Sequence, residues 1–164
     1  HLILLSFPQN HPHFPKDMLL MSEPHPVSIE TNKHVVQSFF ERAWNLGDEE
    51  AIDEFIAENA GGNDPDFGAG REGFRKHWKA WRASFPDLHF HIVDMIAERD
   101  YVLCRWVFTG THTTEFMGIL PSGKTIRVEG MSLERVGNGK IIDGFDGWDN
   151  LGFRQQLGAL DTTP

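Results

Sequence analysis

The sequence predicts an α+β domain, a curved antiparallel sheet with its helices packed on one side. Three observations lead there. Apolar residues recur at helical spacing up to Phe85, and the period switches to two immediately after Pro86. Four alternating segments follow, the last two joined by Gly137-Asn138-Gly139, a strong hairpin signal. The 164 residues, 40% of them hydrophobic, suit one domain that buries roughly two-thirds of its unfolded surface.

His1–Pro26 stands apart from this pattern. It holds five prolines (Pro8, Pro12, Pro15, Pro24 and Pro26) and four histidines in short aperiodic pieces, the composition of an extended, non-catalytic segment. Leu2–Leu5 is too short for a signal-peptide core and lacks a basic lead-in, and Met18 and Met21 are candidate start sites. The working domain is expected over 27–160. Ser28 or Thr31 can cap its first helix, with Val35/Val36, Phe39/Phe40 and Ala43/Trp44 on one face and Leu46-Gly47 at its end. Asp48 is expected to cap a short second helix that turns Ile52, Phe55 and Ile56 inward, before a Gly- and Asp-rich loop over Glu58–Gly70. A third helix, Arg71–Phe85, carries Phe74, Trp78, Trp81 and Phe85 at i, i+4, i+7 and i+11, and Pro86 stops it. Strands are expected at Leu88–Ala97, Tyr101–Thr113, Lys124–Val136 and Lys140–Trp148, with a terminal helix over Leu151–Leu157.

Composition excludes several classes. With 15 Lys+Arg against 24 Asp+Glu, the net charge of −9 leaves no basic face for nucleic acid. No apolar run is long enough to span a membrane, and one cysteine cannot form an internal disulfide, so the cytoplasm is the expected compartment. Thirteen Phe and five Trp against one Tyr point to an apolar cavity wall poor in hydroxyls, under the concave face that such a sheet creates.

An ordered set of fragments carries a family likeness. Gly70-Arg71-Glu72-Gly73-Phe74 opens the third helix and Phe85-Pro86-Asp87-Leu88 closes it. Gly110-Thr111-His112-Thr113, Phe116–Gly123 and Gly139-Lys140-Ile141-Ile142 follow, then Trp148–Gly152 and Gln155-Gln156-Leu157-Gly158. Over about residues 30–158 the chain resembles the SnoaL-like polyketide cyclase (ester cyclase) family. The resemblance implies a cone-shaped α+β fold of the nuclear-transport-factor-2-like type, wrapped on three N-terminal helices around an apolar pocket. It also implies cofactor-free ring closure by intramolecular aldol condensation of a polyketide ester. The acid/base aspartate of that family matches Asp146, six residues after Lys140, while its strand histidine falls on Ser132.

Period-two counting sets Ile142, Gly144, Asp146 and Trp148 on one face of the last strand, with Asp143 on the other. A carboxylate among apolar groups gains basicity, which suits removal of a proton alpha to a carbonyl. Trp106, Phe108, Gly110 and His112 share a face of the second strand, so His112 is the candidate catalytic partner of Asp146. Ser132, Trp106, Phe108, Trp148, Trp81 and His77 are the candidate substrate contacts. His89 and His91 share a strand face but have no third ligand at a suggestive spacing, so no metal and no cofactor is expected. Cys104 is expected to be a small buried hydrophobe. The expected partner is a small apolar carbonyl-bearing molecule. A homodimer is expected through the convex sheet face, where Arg105, Arg127, Glu129, Leu133 and Arg135 lie. The alternatives are a hydrolase or isomerase on the same scaffold, or a non-catalytic small-molecule-binding module.

Overall fold

Ser28 starts the first helix, its hydroxyl accepting the Thr31 N–H that the opening turn would leave unpaired. The computed structural model describes residues 28–63 and 69–160; the extension at His1–Pro26 and part of the Glu58–Gly70 loop lie outside them. Helix α1 (Ile29–Phe39) runs into a π-helical segment, Phe40–Asn45, and the pair buries Val35, Val36, Phe39, Phe40, Ala43 and Trp44. Gly47, at φ +70°, then turns the chain. Asp48 accepts the Glu50 N–H and receives Arg42, and α2 (Glu50–Phe55) buries Ala51, Ile52 and Phe55. Helix α3 (Gly70–Ser84) follows.

The four strands form a meander with every neighbour antiparallel: β1 (His89–Glu98), β2 (Tyr101–Thr111), β3 (Thr125–Gly137) and β4 (Lys140–Trp148). Strand β2 ends before the expected Thr113, because the Thr113 N–H bonds to Ser84 O at the end of α3 instead of to the sheet. A bulge lies between Ile92 and Asp94 on β1 and a second irregularity at Arg135/Val136 of β3. Such irregularities bend strands and raise their twist, so the sheet curves without closing. The second one also corrects the face count on β4. Val136 pairs with Ile141 and Arg135 with Asp143, so Ile142 drops out of the ladder and Ile141 takes the buried position. Beyond that irregularity Gly144, Asp146 and Trp148 share the concave side, as counting predicts.

The concave face receives the helices. Trp81 of α3 lies within ring contact of Phe85, Phe108, Phe116, Trp148 and Phe153, joining α3 to β2, β4 and the final helix α4 (Asn150–Leu157). Asp149 caps α4 by accepting the Gly152 N–H, and Gly158, at φ +83°, ends it. The free edge of β4 is covered by the chain after α2: Ala57 N–H reaches Ile141 O, and Gly61 N–H reaches Ile142 O. Among the described residues no helix is long and apolar enough to cross a membrane.

Gly130 is the tightest point on β3. A Cβ there would overlap Trp106 Cη2 and stand 2.7 Å from the Trp148 Cβ. Gly130→Ala is therefore expected to lower stability by about 1–3 kcal/mol, the usual cost of overpacking, read from the midpoint of denaturant unfolding. An unchanged midpoint would mean that the Trp106 ring is free to move aside.

Candidate active site

A cavity of about 110 Å³ opens between the concave sheet face and the helices. Its wall is aromatic: Phe40 and Trp44 from the π-helical segment, Phe74 and Trp81 from α3, Phe108 from β2 and Trp148 from β4. Its polar groups are few. Ser132 and Glu134 enter from β3, Asp146 from β4, His77 from α3 and Asn63 from the segment along the β4 edge.

Two sets of hydrogen bonds from described residues help to place Asp146. Ser132 and Asp146 are cross-strand partners, and the Ser132 hydroxyl donates to Asp146 Oδ1. Trp106 Nε1 in turn donates to Ser132 Oγ at 2.9 Å, a buried contact that orients the hydroxyl. The Asp146 backbone is clamped separately. Asn63 Nδ2 donates to Asp146 O at 2.9 Å, and Asn63 Oδ1 accepts the Asp146 N–H at 2.8 Å. One amide side chain thus replaces the neighbouring strand that β4, as the edge, lacks.

The structure brings Asp146, Ser132, Trp106, Phe108, Trp148, Trp81 and His77 to this one cavity. It does not bring His112 there. The β2 residue in register with Ser132 and Asp146 is Cys104, and His112 lies eight residues further along, about 26 Å at strand rise. Parity assigned His112 to the correct face but not to the correct end of the ladder. Its ring is fully buried and stacks on Phe85 at 5.3 Å, while Nδ1 accepts the Ser122 N–H at 3.2 Å. Those contacts fasten the Phe116–Gly123 loop to the end of β2, a packing role distant from Asp146. Cys104 is completely buried, and desolvation raises its thiol to about 12, with a smaller contribution from Glu134. His89 and His91 are exposed on the outer face.

Glu134, like Asn63, is a site residue that sequence reasoning missed. It shares the inward parity of Val128, Gly130 and Ser132, which was the available signal. The residue is 93% buried, and its carboxyl lies over Gly144 and opens into the cavity. Burial raises its pKa well above the ordinary value of 4.5, and the charges of Asp146 and Asp143 push it further in the same direction.

This shift has a stability consequence. The native state keeps a proton on Glu134 that the unfolded chain releases above 4.5, so this group's contribution to stability falls as pH rises from there towards its folded value. Glu134→Gln removes the titration. Thermal unfolding on a pH series from below 4.5 to neutrality should show the variant gaining on the wild type as pH rises. A constant difference would contradict the assignment.

With this geometry in place, comparison with known proteins gives consistent results. The model of the SnoaL-like polyketide cyclase family matches residues 34–157. TsrD from Streptomyces laurentii is 26% identical, with a TM-score of 0.76, covering 82% of this chain and 99% of its own. IdmH from Streptomyces antibioticus, a proposed polyketide cyclase, is 31% identical, with a TM-score of 0.67 over 77% of this chain and 98% of its own. AclR from Streptomyces galilaeus, a proposed hydroxylase, is 25% identical, with a TM-score of 0.72 over 82% and 100%. No curated protein sequence matches the chain.

Proposed function

The chain belongs to the SnoaL-like polyketide cyclase family, and from that premise we propose that it is a cyclase-like enzyme acting on a small apolar carbonyl-bearing substrate, without a cofactor. The observation that carries the proposal is a carboxylate, Asp146, hydrogen-bonded by Ser132 and set among aromatic rings. In this reading Asp146 removes a proton alpha to a carbonyl. The carbanion attacks a second carbonyl of the same molecule, and Asp146 returns the proton to the new alkoxide. The aromatic wall holds the folded substrate and keeps bulk water from the enolate. Ser132 holds the base in position, and among the described residues His77 of α3 is the histidine that lines the cavity. Epoxide hydrolysis on this scaffold calls for an Arg or Asn helper to the water-activating carboxylate. Among the described residues no Arg lines the cavity, and both ends of the Asn63 amide are engaged by the Asp146 backbone.

Asp146→Asn is nearly isosteric and keeps an acceptor for Ser132. It should slow turnover of a cyclisable polyketone by about 10²–10⁴-fold while ligand affinity changes little. Turnover that persists in the variant would remove Asp146 from the role of base, and ligand binding without turnover in the wild type would favour a binding module.

The same proposal includes a homodimer and a cytoplasmic location. Ile96, Leu103, Leu133 and Phe145 are successive cross-strand partners on the convex face, and Phe145 and Ile96 are 59% and 65% exposed. Such an apolar row, flanked by the Arg105–Asp94 and Arg135–Asp100 ion pairs, suits pairing with a second copy of the same face. Light scattering should give twice the mass of one chain, and Phe145→Glu should halve it. A wild-type mass equal to one chain would refute the dimer.

A further inference from the structure

The mechanism above leaves one buried group without a task. Glu134 sits two residues from Ser132 on the same face of β3, and its cross-strand partner is Gly144. Ser132 pairs with Asp146, so Glu134 and Asp146 are diagonal neighbours on one face of the β3–β4 ladder, within about 7–8 Å. Glu134 Oε2 lies 2.8 Å from the point where a Gly144 Cβ would stand, so the glycine is what lets the carboxyl lie across the sheet. Both residues line the same cavity. Their surroundings differ. Asp146 accepts a hydrogen bond from Ser132, whereas Glu134 is 93% buried and turns its carboxyl across Gly144 into the cavity.

We propose that Glu134 is a second catalytic carboxyl, whose O–H donates a hydrogen bond to the substrate carbonyl oxygen while Asp146 removes the alpha proton. The inference rests on the reading of Asp146 as base and narrows the substrate class to ketones whose enolisable carbon and carbonyl oxygen span the two carboxyls. The C–H electron pair forms the new C=C bond, and the C=O π pair moves to oxygen. Glu134 keeps its proton throughout and stabilises that oxygen by hydrogen bonding. The carbon then forms its bond to the second carbonyl carbon, and the proton held by Asp146 passes to the resulting alkoxide. A buried carboxyl beside Asp146 and Asp143 favours its neutral form, which is the form with a proton to donate. An enclosed donor aimed at developing negative charge is the arrangement that stabilises oxyanions most effectively.

The test uses 2-acetylnaphthalene, an aromatic methyl ketone, as the probe. Its carbonyl stretch is recorded in the bound state, and exchange of its methyl protons is followed in heavy water. The wild-type protein should lower the carbonyl frequency relative to the ketone in an apolar solvent and catalyse the exchange. Glu134→Leu should abolish the frequency shift and slow exchange about 100-fold. Glu134→Gln, which keeps shape and a weaker donor, should recover part of both, and it reports on the site even where the leucine variant folds poorly. Asp146→Asn should lose exchange but retain the shift. Exchange lost in Asp146→Asn together with an undiminished shift and rate in both Glu134 variants would overturn the role of Glu134 and leave the base intact. Exchange that survives Asp146→Asn would overturn the base itself. A ketone that fails to bind the wild-type protein would overturn the inference.

Discussion

A carboxyl group enclosed by aromatic rings must either be hydrogen-bonded or give up its charge, because leaving an ionised oxygen dry and unpaired costs several kcal/mol. Two carboxyls in this cavity meet that constraint in opposite ways. Asp146 is supplied with a row of donors, Trp106 Nε1 to Ser132 Oγ to Asp146 Oδ1, which crosses three strands. Glu134 receives no such row among the described residues, and burial displaces it towards its neutral form. On the proposed mechanism this difference separates an acceptor from a donor one cross-strand diagonal apart, the separation that acid–base chemistry needs.

Much of the fold serves to hold that arrangement. The Trp106 ring can lie over β3 only because Gly130 has no Cβ, and the Glu134 carboxyl can lie across β4 only because Gly144 has none. Both glycines make room for a side chain of the neighbouring strand on the concave face. Edge strand β4, which carries Asp146, would be the least restrained part of the sheet, yet Asn63 and the backbone at Ala57 and Gly61 bind it from outside. On the opposite wall, the Trp81 ring contacts tie α3 to β2, β4 and α4, each aromatic pair adding about 0.5–1.5 kcal/mol beyond area burial. The cavity is therefore walled by elements that constrain one another.

What was legible in the sequence follows the reach of periodicity. The 4-3-4 spacing of Phe74, Trp78, Trp81 and Phe85 defines α3 and its buried stripe, and Phe85 and Trp78 are indeed buried. Alternation correctly placed Asp146, Ser132, Trp106 and Trp148 towards one cavity. It failed where a face is not the whole answer. His112 shares the face of Trp106 but sits at the far end of the ladder, because parity carries no information about position along a strand. The irregularity at Arg135/Val136 shifted Ile142 out of its expected place, and no local residue announces it. Glu134 has inward parity, but a charged residue in an alternating strand ordinarily marks the wet side. Asn63 pairs with a residue 83 positions away through a loop side chain, which no periodic pattern reports.

The central claim is that one of the two cavity carboxyls is neutral while the other serves as acceptor. Infrared spectroscopy of the protein at neutral pH tests it most directly, through the stretching band of a protonated carboxyl. The band should be present in the wild-type protein, persist in Asp146→Asn and disappear in Glu134→Gln. A wild-type spectrum without that band, or a band removed by Asp146→Asn and kept in Glu134→Gln, would contradict the account.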